Sequence, residues 1–232
     1  MKVLRAVIKG KMAHFRKVYS NSTSLSYYFP PRTTVLGIIA AALGKERDSY
    51  YSEFNVYNVG VATLTPLRKL VTAEDILDTD ELNTTKFRGF SNRVPTTKEI
   101  VIASRGDFLS YEIFINPLNQ ELEKSMREPV YPLSLGPANM LAWVDEVEEV
   151  DCDELPSGSA EVVGAVPAEV KVKFSSKVQI SLEDTVPRDF SSGRVPGRAR
   201  NYYFSVNGSP YEIEYNSPLN GVMCNGRGVV FL

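Results

Sequence analysis

The sequence predicts an α+β protein, and three observations carry that prediction. Apolar residues alternate with period two over four segments of the first two thirds of the chain and recur at helical spacing over two more. The order of those segments is strand, helix, strand, strand, helix, strand, the ferredoxin-like arrangement shared by RNA-recognition modules. Beyond Asp151 the chain turns to short strands broken by Gly, Pro and Ser, with no further clear helix. Residues 1–150 are therefore read as a ferredoxin-like unit and residues 151–232 as a β-rich C-terminal region.

Lys2 to Lys9 places Leu4, Ala6 and Ile8 on one side and Val3, Arg5 and Val7 on the other, as a half-buried strand does. Gly10 ends it, and a basic, aromatic loop follows with Lys11, His14, Phe15, Arg16 and Lys17. Pro30 and Pro31 then hold the backbone extended, Thr33 or Thr34 can cap a helix, and Gly44 can close it in the left-handed conformation. That helix has almost no polar face and must be buried. Its first turn, with Arg32, Thr33 and Thr34 beside free N–H groups, suits an anion such as an RNA phosphate; an ordinary threonine-capped core helix is the competing reading.

Asn55 to Leu64 reads as the second strand, running on toward Leu70, and Phe108 to Ile115 as the third. The segment between them is too long for a plain connection. β-formers at Glu99 to Ala103 suggest a projecting hairpin, at about 78–104, whose tip interleaves Lys86, Arg88 and Arg93 with Phe87 and Phe90. Cations beside flat rings meet the phosphates and the unstacked bases of a single strand. Asn116 is expected to cap a second helix opened by Pro117, with Leu118, Leu122 and Met126 at spacing four, and Met140 to Val150 to form the fourth strand. Short strands follow at Val170–Phe174, Lys177–Leu182, Arg200–Val206, Tyr211–Tyr215 and Val229–Leu232. Asn207-Gly208 reads as a hairpin turn, and Gly221 to Gly228 as a tight turn before the last strand. The loop from Val186 to Arg200 carries Arg188, Arg194, Arg198 and Arg200 against one acid, a composition suited to phosphate contact.

The net charge of −2 hides a segregated distribution. Residues 1–45 contain eight Lys or Arg and no acid, whereas residues 101–161 contain three against thirteen acids. Such a division suggests one surface for nucleic acid and another that faces solvent or repels it. Cys152 and Cys224 lie far apart, match no metal-ligand spacing and read as free thiols. The single histidine, His14, has no nucleophile or metal-ligand set near it in sequence, and no phosphate-loop pattern occurs. No metal or other cofactor is expected. With no apolar run of about 18 residues and no secretory signal pattern, the expected location is the cytoplasm, away from membranes.

Four motifs stand out together: Gly10-x-x-Ala13-x-Phe15-Arg16; Pro30-Pro31-Arg32-Thr33-Thr34-Val35-x-Gly37-x-x-Ala40-Ala41-x-x-Gly44; Tyr131-Pro132-Leu133-x-Leu135-Gly136; and Val186-Pro187-x-Asp189-Phe190. In them the chain resembles the Cas five family, the repeat-associated (RAMP) subunit of CRISPR type I interference complexes. The resemblance implies a ferredoxin-like palm, a thumb hairpin inserted in it and a variable β-rich C-terminal part. It also implies a subunit that grips the 5′ handle of a CRISPR RNA and caps the backbone filament of a Cascade complex, touching the backbone and large subunits in antiviral defence.

The RNA-binding set is then expected to comprise Lys9, Lys11, His14, Phe15, Arg16, Lys17, Tyr27, Arg32, Thr33 and Thr34 near the N-terminus. Lys86, Phe87, Arg88, Phe90 and Arg93 are expected to contribute from the thumb, and Arg188, Arg194, Arg198 and Arg200 from the basic loop. In the type I-C branch the family member is itself the endonuclease, using a tyrosine with a lysine and histidine pair. This sequence has no such Lys-His pair, so a non-catalytic role is expected. Two alternatives stand beside it: a metal-independent endoribonuclease in which His14 and Tyr19, Tyr27 or Tyr28 act near Arg32, and a protein-interaction scaffold without RNA contact.

Overall fold

Period-two alternation puts Leu4, Ala6 and Ile8 of β1 (Lys2–Gly10) fully inside, on the face that receives the helices, while Val3 joins a second cluster on the opposite face. The computed structural model describes residues 1–20, 23–78, 83–89 and 93–232. After β1 come the two-residue strands β2 (Phe15–Arg16) and β3 (Ser26–Tyr27), paired with each other, and helix α1 (Arg32–Ala42). Then follow β4 (Asn58–Thr63), β5 (Leu67–Leu77), the single turn α2 (Thr84–Phe87), β6 (Arg93–Ala103), β7 (Leu109–Asn116), α3 (Gln120–Arg127), β8 (Leu133–Ser134) and β9 (Leu141–Glu154). Strands β9, β1, β7 and β4 lie side by side in that order, each antiparallel to its neighbour. Val35, Ile38 and Ile39 of α1 and Leu122 and Met126 of α3 bury one face of this four-stranded unit.

Several local expectations are corrected. The second strand stops at Thr63; past Pro66 the chain starts β5, which pairs with β6 from Leu67 opposite Ala103 to Leu77 opposite Arg93. The hairpin thus begins at Leu67, ahead of the expected 78. Neither Thr33 nor Thr34 caps α1: its N-cap is Pro31, whose carbonyl accepts the N–H of Thr34 at 2.8 Å and of Val35 at 3.1 Å. The two prolines fix the entry, so no side-chain cap is formed. Gly44 does close the helix at φ 70°, with the Lys45 N–H donating to the Ala40 carbonyl at 2.9 Å. The cap of α3 is Asn119, whose Oδ1 accepts the Leu122 N–H at 2.6 Å; Asn116 ends β7 instead.

The C-terminal region contributes β10 (Ser159–Val163), β11 (Ala165–Pro167), β12 (Lys171–Lys173), β13 (Ile180–Pro187), β14 (Ala199–Ser205), β15 (Tyr211–Glu214), β16 (Gly221–Cys224) and β17 (Arg227–Val230). Three of these strands, β10, β11 and β16, had no counterpart in the sequence expectation. Strands β16, β17, β10, β15 and β12 extend the first sheet beyond β9 into one curled sheet, and β11, β14 and β13 form another. Asn207-Gly208 is not a hairpin turn, because β14 and β15 pair with different sheets. The tight hairpin is at Asn225-Gly226, with φ 51° and 76°, joining β16 to β17.

Cys152 and Cys224 are not free thiols. They face each other in the β9–β16 register with Cα atoms 4.5 Å apart and form a disulfide. Strand pairing removes the separation of 72 residues that made them look unrelated.

Around this bridge Val3, Ala62, Phe114, Val163, Val222, Val229 and Phe231 make a core on the sheet face opposite the helices. The C-terminal strands therefore cover much of that face. Next to them Arg5 bridges the buried Glu112 and the exposed Glu146 and Glu148, with Arg227 reaching Glu112 from β17. Among the described residues no helix is long and apolar enough to cross a membrane.

Candidate nucleic-acid interface

The C-terminal strands cover much of the outer sheet face, and on the helix side a concave surface lies at the N-terminal end of α1. The loop after β1 is pinned there from two directions. Ala13 exchanges backbone hydrogen bonds with Val101 of β6 at 2.9 and 2.8 Å, and the His14 N–H donates to the Leu135 carbonyl at 3.0 Å. Gly136 permits this closeness: a Cβ on it would lie 2.0 Å from the His14 carbonyl oxygen, and its φ is 107°. Gly136→Ala is accordingly expected to displace the loop and lower stability by about 2 kcal/mol. An unchanged melting temperature in that variant would contradict this close-packed geometry.

Two clefts meet at Thr34 and Gly136. One, of about 410 Å³, is lined by His14, Arg16, Ser24 and Lys98; the other, of about 370 Å³, by Thr33, Tyr50, Tyr51, Phe190 and Arg194. Together they form a groove crossing the positive end of the α1 dipole. The Arg16 guanidinium is exposed and donates to the Ser20 carbonyl at 2.9 Å. Lys98 meets Glu74 at 3.3 Å in a partly buried pair, and Arg194 meets Asp48 at 2.8 Å in an exposed pair that a phosphate can displace at small cost. Tyr50, Tyr51 and Phe190 form a chain of rings with centroids 5.0 and 6.2 Å apart. Burial, followed by the hydrogen bond to Asp48, pushes the Tyr51 hydroxyl up to about 12, so it stays a donor.

His14 is buried in the wall of the groove. Its Nδ1 donates to the Glu99 carbonyl at 2.7 Å, which leaves Nε2 to accept the Ser24 hydroxyl at 3.1 Å. Burial holds its pKa below the usual histidine value, with Lys98 and Arg16 pushing the same way, so the ring is neutral at pH 7. Among the described residues no cluster of His, Cys, Asp and Glu has the form of a metal site.

The structure sorts the other expected residues. Phe15 and Tyr27 are core side chains: Phe15 packs edge-on against Tyr111, and the Tyr27 hydroxyl donates to the Thr185 carbonyl at 2.7 Å. Lys17 is buried; desolvation opposes its charge, but Asp184 at 2.8 Å and Glu183 at 3.3 Å outweigh it and raise its pKa. Lys9 lies on the far sheet face, paired with Asp145 at 2.6 Å. Arg32 is 5% exposed and holds no phosphate-ready edge. It donates to the carbonyls of Tyr57, Asn55 and Arg188, and burial, followed by the charge of Arg188, lowers its pKa.

At the hairpin tip Lys86 pairs with Asp78 at 2.9 Å, Phe87 is 77% exposed, and Arg88 and Arg93 are exposed. Phe90 lies outside the described residues. Arg194 joins the groove, Arg198 is exposed on its loop, and Arg188 and Arg200 line a separate cavity of about 520 Å³ beside β12 and β15. Sequence reading missed Lys98, Ser24, Tyr50 and Tyr51. Gly136 and Phe190, outside the expected set, carried a signal as members of two of the four motifs.

Solved structures share this fold. A CRISPR protein from Archaeoglobus fulgidus superposes with a TM-score of 0.64 at 17% identity, over 100% of this chain and 99% of that one. A chain of a CRISPR RNA-guided surveillance complex gives 0.55 at 14% identity, over 90% and 91%. A chain of the Type III-B Cmr-beta complex bound to cognate target RNA and AMPPnP gives 0.55 at 11% identity, over 90% and 86%. The class is thus a strand-rich α+β protein with a curled sheet, the fold it shares with these CRISPR protein chains. Residues 3–203 match the family model described as CRISPR-associated protein (Cas_Cas5), and the chain belongs to that family. Among curated proteins none matches it.

Proposed function

We propose that this protein is a non-catalytic RNA-binding subunit of a type I CRISPR interference complex, acting in the cytoplasm. In this reading β9, β1, β7 and β4 with their two helices are a ferredoxin-like palm, and the β5–β6 hairpin is the thumb. The groove at the start of α1 holds the 5′ handle of the CRISPR RNA, and the subunit caps the backbone filament between backbone and large subunits. The observation that carries the reading is the groove itself: Arg16, Lys98 and Arg194 line the path for phosphates, Tyr50, Tyr51 and Phe190 line it for bases, and the α1 N-terminus sits between. Membership of a CRISPR-associated family and the fold shared with a chain of an RNA-guided complex support it.

Arg16→Ala and Lys98→Ala should each weaken binding of single-stranded repeat RNA and reduce the logarithmic salt slope by about 0.7 per lost phosphate contact. Unaltered affinity and slope in both, with the fold intact, would remove the groove from consideration. One observation favours the endoribonuclease reading: a neutral His14 with Nε2 engaged by Ser24, beside Arg16 and Lys98, is placed to accept a proton. Pure protein incubated with repeat RNA separates the two. RNA that is bound and intact is the expected outcome; cutting at one position, lost in His14→Ala, would establish the second.

A further inference from the structure

The C-terminal strands leave one end of the outer sheet face open. Across it Trp143 of β9, Lys9 of β1 and Ser110 of β7 stand in one row, because Lys9 is the register partner of both others. Phe108, two residues before Ser110, packs edge-to-face on Trp143 with centroids 5.1 Å apart and planes at 85°. The two rings are 39% and 40% exposed, and Leu141, two residues before Trp143, is 63% exposed. Large apolar side chains clustered on an exposed sheet end call for something that covers them. The Ser110 hydroxyl on the same face is buried without a hydrogen-bond partner.

The charges around this patch point to its occupant. Lys9 neutralises Asp145. Lys11 and Arg105 are exposed and take part in no ion pair among the described residues; the exposed acids on this side are Asp107 and, further along β9, Glu146 and Glu148, which Arg5 holds. Lys11 follows Gly10, whose register partner Leu109 is the residue after Phe108, and three residues beyond Lys11 the chain reaches His14 in the groove. A single strand leaving the groove past Arg16 and His14 therefore has a cationic rim to cross and two open rings beyond it.

We propose that Phe108 and Trp143 form a second stacking platform for single-stranded RNA, taking nucleotides that continue from the groove over the rim at Lys11. This rests on the groove reading and extends it to the opposite face of the sheet. Trp143 is the sole tryptophan of the chain, so its emission reports on this patch alone.

The experiment titrates the full chain with oligouridines of two lengths, one of about six nucleotides that fills the groove and one of about fourteen that reaches beyond it. Quenching of Trp143 by the longer strand alone is expected. Phe108→Ala should weaken the longer strand about tenfold and leave the shorter unchanged, while Arg16→Ala weakens both. Trp143→Phe keeps a stacking ring and should retain most of the longer strand's affinity, which separates stacking from a folding defect. If Arg16→Ala weakens both lengths but Phe108→Ala and the emission respond to neither, the platform is wrong and the groove stands. If no variant alters binding of either length, both are wrong. Emission silent to RNA but shifted by a protein subunit of the complex would assign the patch to protein contact and overturn the proposal.

Discussion

Arg32→Ala is expected to lower the melting temperature by about 10 °C and to leave the phosphate path of the groove in place. The guanidinium donates to the Tyr57 carbonyl through Nε at 3.3 Å and Nη2 at 2.9 Å, to Asn55 at 3.1 Å and to Arg188 at 3.2 Å. It thereby ties the start of α1 to the segment before β4 and to the loop after β13. Alanine leaves three carbonyls without their donor, at a cost of about 1–3 kcal/mol each where water cannot follow. Water entry from the 5% exposed site reduces the sum, and about 3 kcal/mol is the expected net loss. At about 2–4 °C per kcal/mol for a chain of this size, that gives the shift stated. Arg32→Lys should recover less than half, since an ammonium cannot reproduce the planar fork. Thermal unfolding decides it: an unchanged melting point with weakened RNA binding would return Arg32 to the RNA interface, where the sequence had placed it.

The same residue shows what a sequence conveys about such a site. Uncompensated positive charge before residue 46 was plain from composition, but of those eight cations only Arg16 lines the groove at the α1 N-terminus. Composition cannot say which cations remain available. Lys9 and Lys17 find carboxylates from β9 and β13, and Arg32 finds carbonyls, all through tertiary contacts. Lys98, in contrast, sits on β6 among β-formers that gave no hint of a groove, and Tyr50 and Tyr51 lie in a connection without periodicity. Within the fold, β1, α1, β7 and β9 were legible because period-two and helical spacing survive in long segments. Strands β10, β11 and β16 were not: five residues or fewer carry little alternation, and these three, unlike the equally short β12, β15 and β17, were not picked out by their residues. The Asn207-Gly208 and Asn225-Gly226 pairs are alike as local signals; which of them closes a hairpin is decided by sheet partners far away in the chain.

Reduction of the Cys152–Cys224 disulfide is expected to cost about 4 kcal/mol, the chain-entropy value for a loop closed across 72 residues. The corresponding fall in melting temperature is about 8–16 °C. The bridge joins β9 to β16 where their pairing is only three residues deep, Val222 to Cys224 against Glu154 to Cys152. It sits in the core that fastens the C-terminal strands over the outer face of β1 and β7. Both sulfurs belong to residues 2% and 3% exposed, so reductant is expected to act on the unfolded chain and to leave the native bond untouched. Denatured protein treated with a thiol-specific alkylating agent should take up none without reductant and two equivalents after it. Refolded in its reduced form, the chain should melt lower and lose the C-terminal strands first, with α1 and the groove persisting below that transition. Hydrogen exchange read along β16 and β17 against α1 measures that order. Alkylation without reductant, or equal melting points for the two forms, would show that strand pairing and the Val3, Phe114 and Val222 core suffice without the bond.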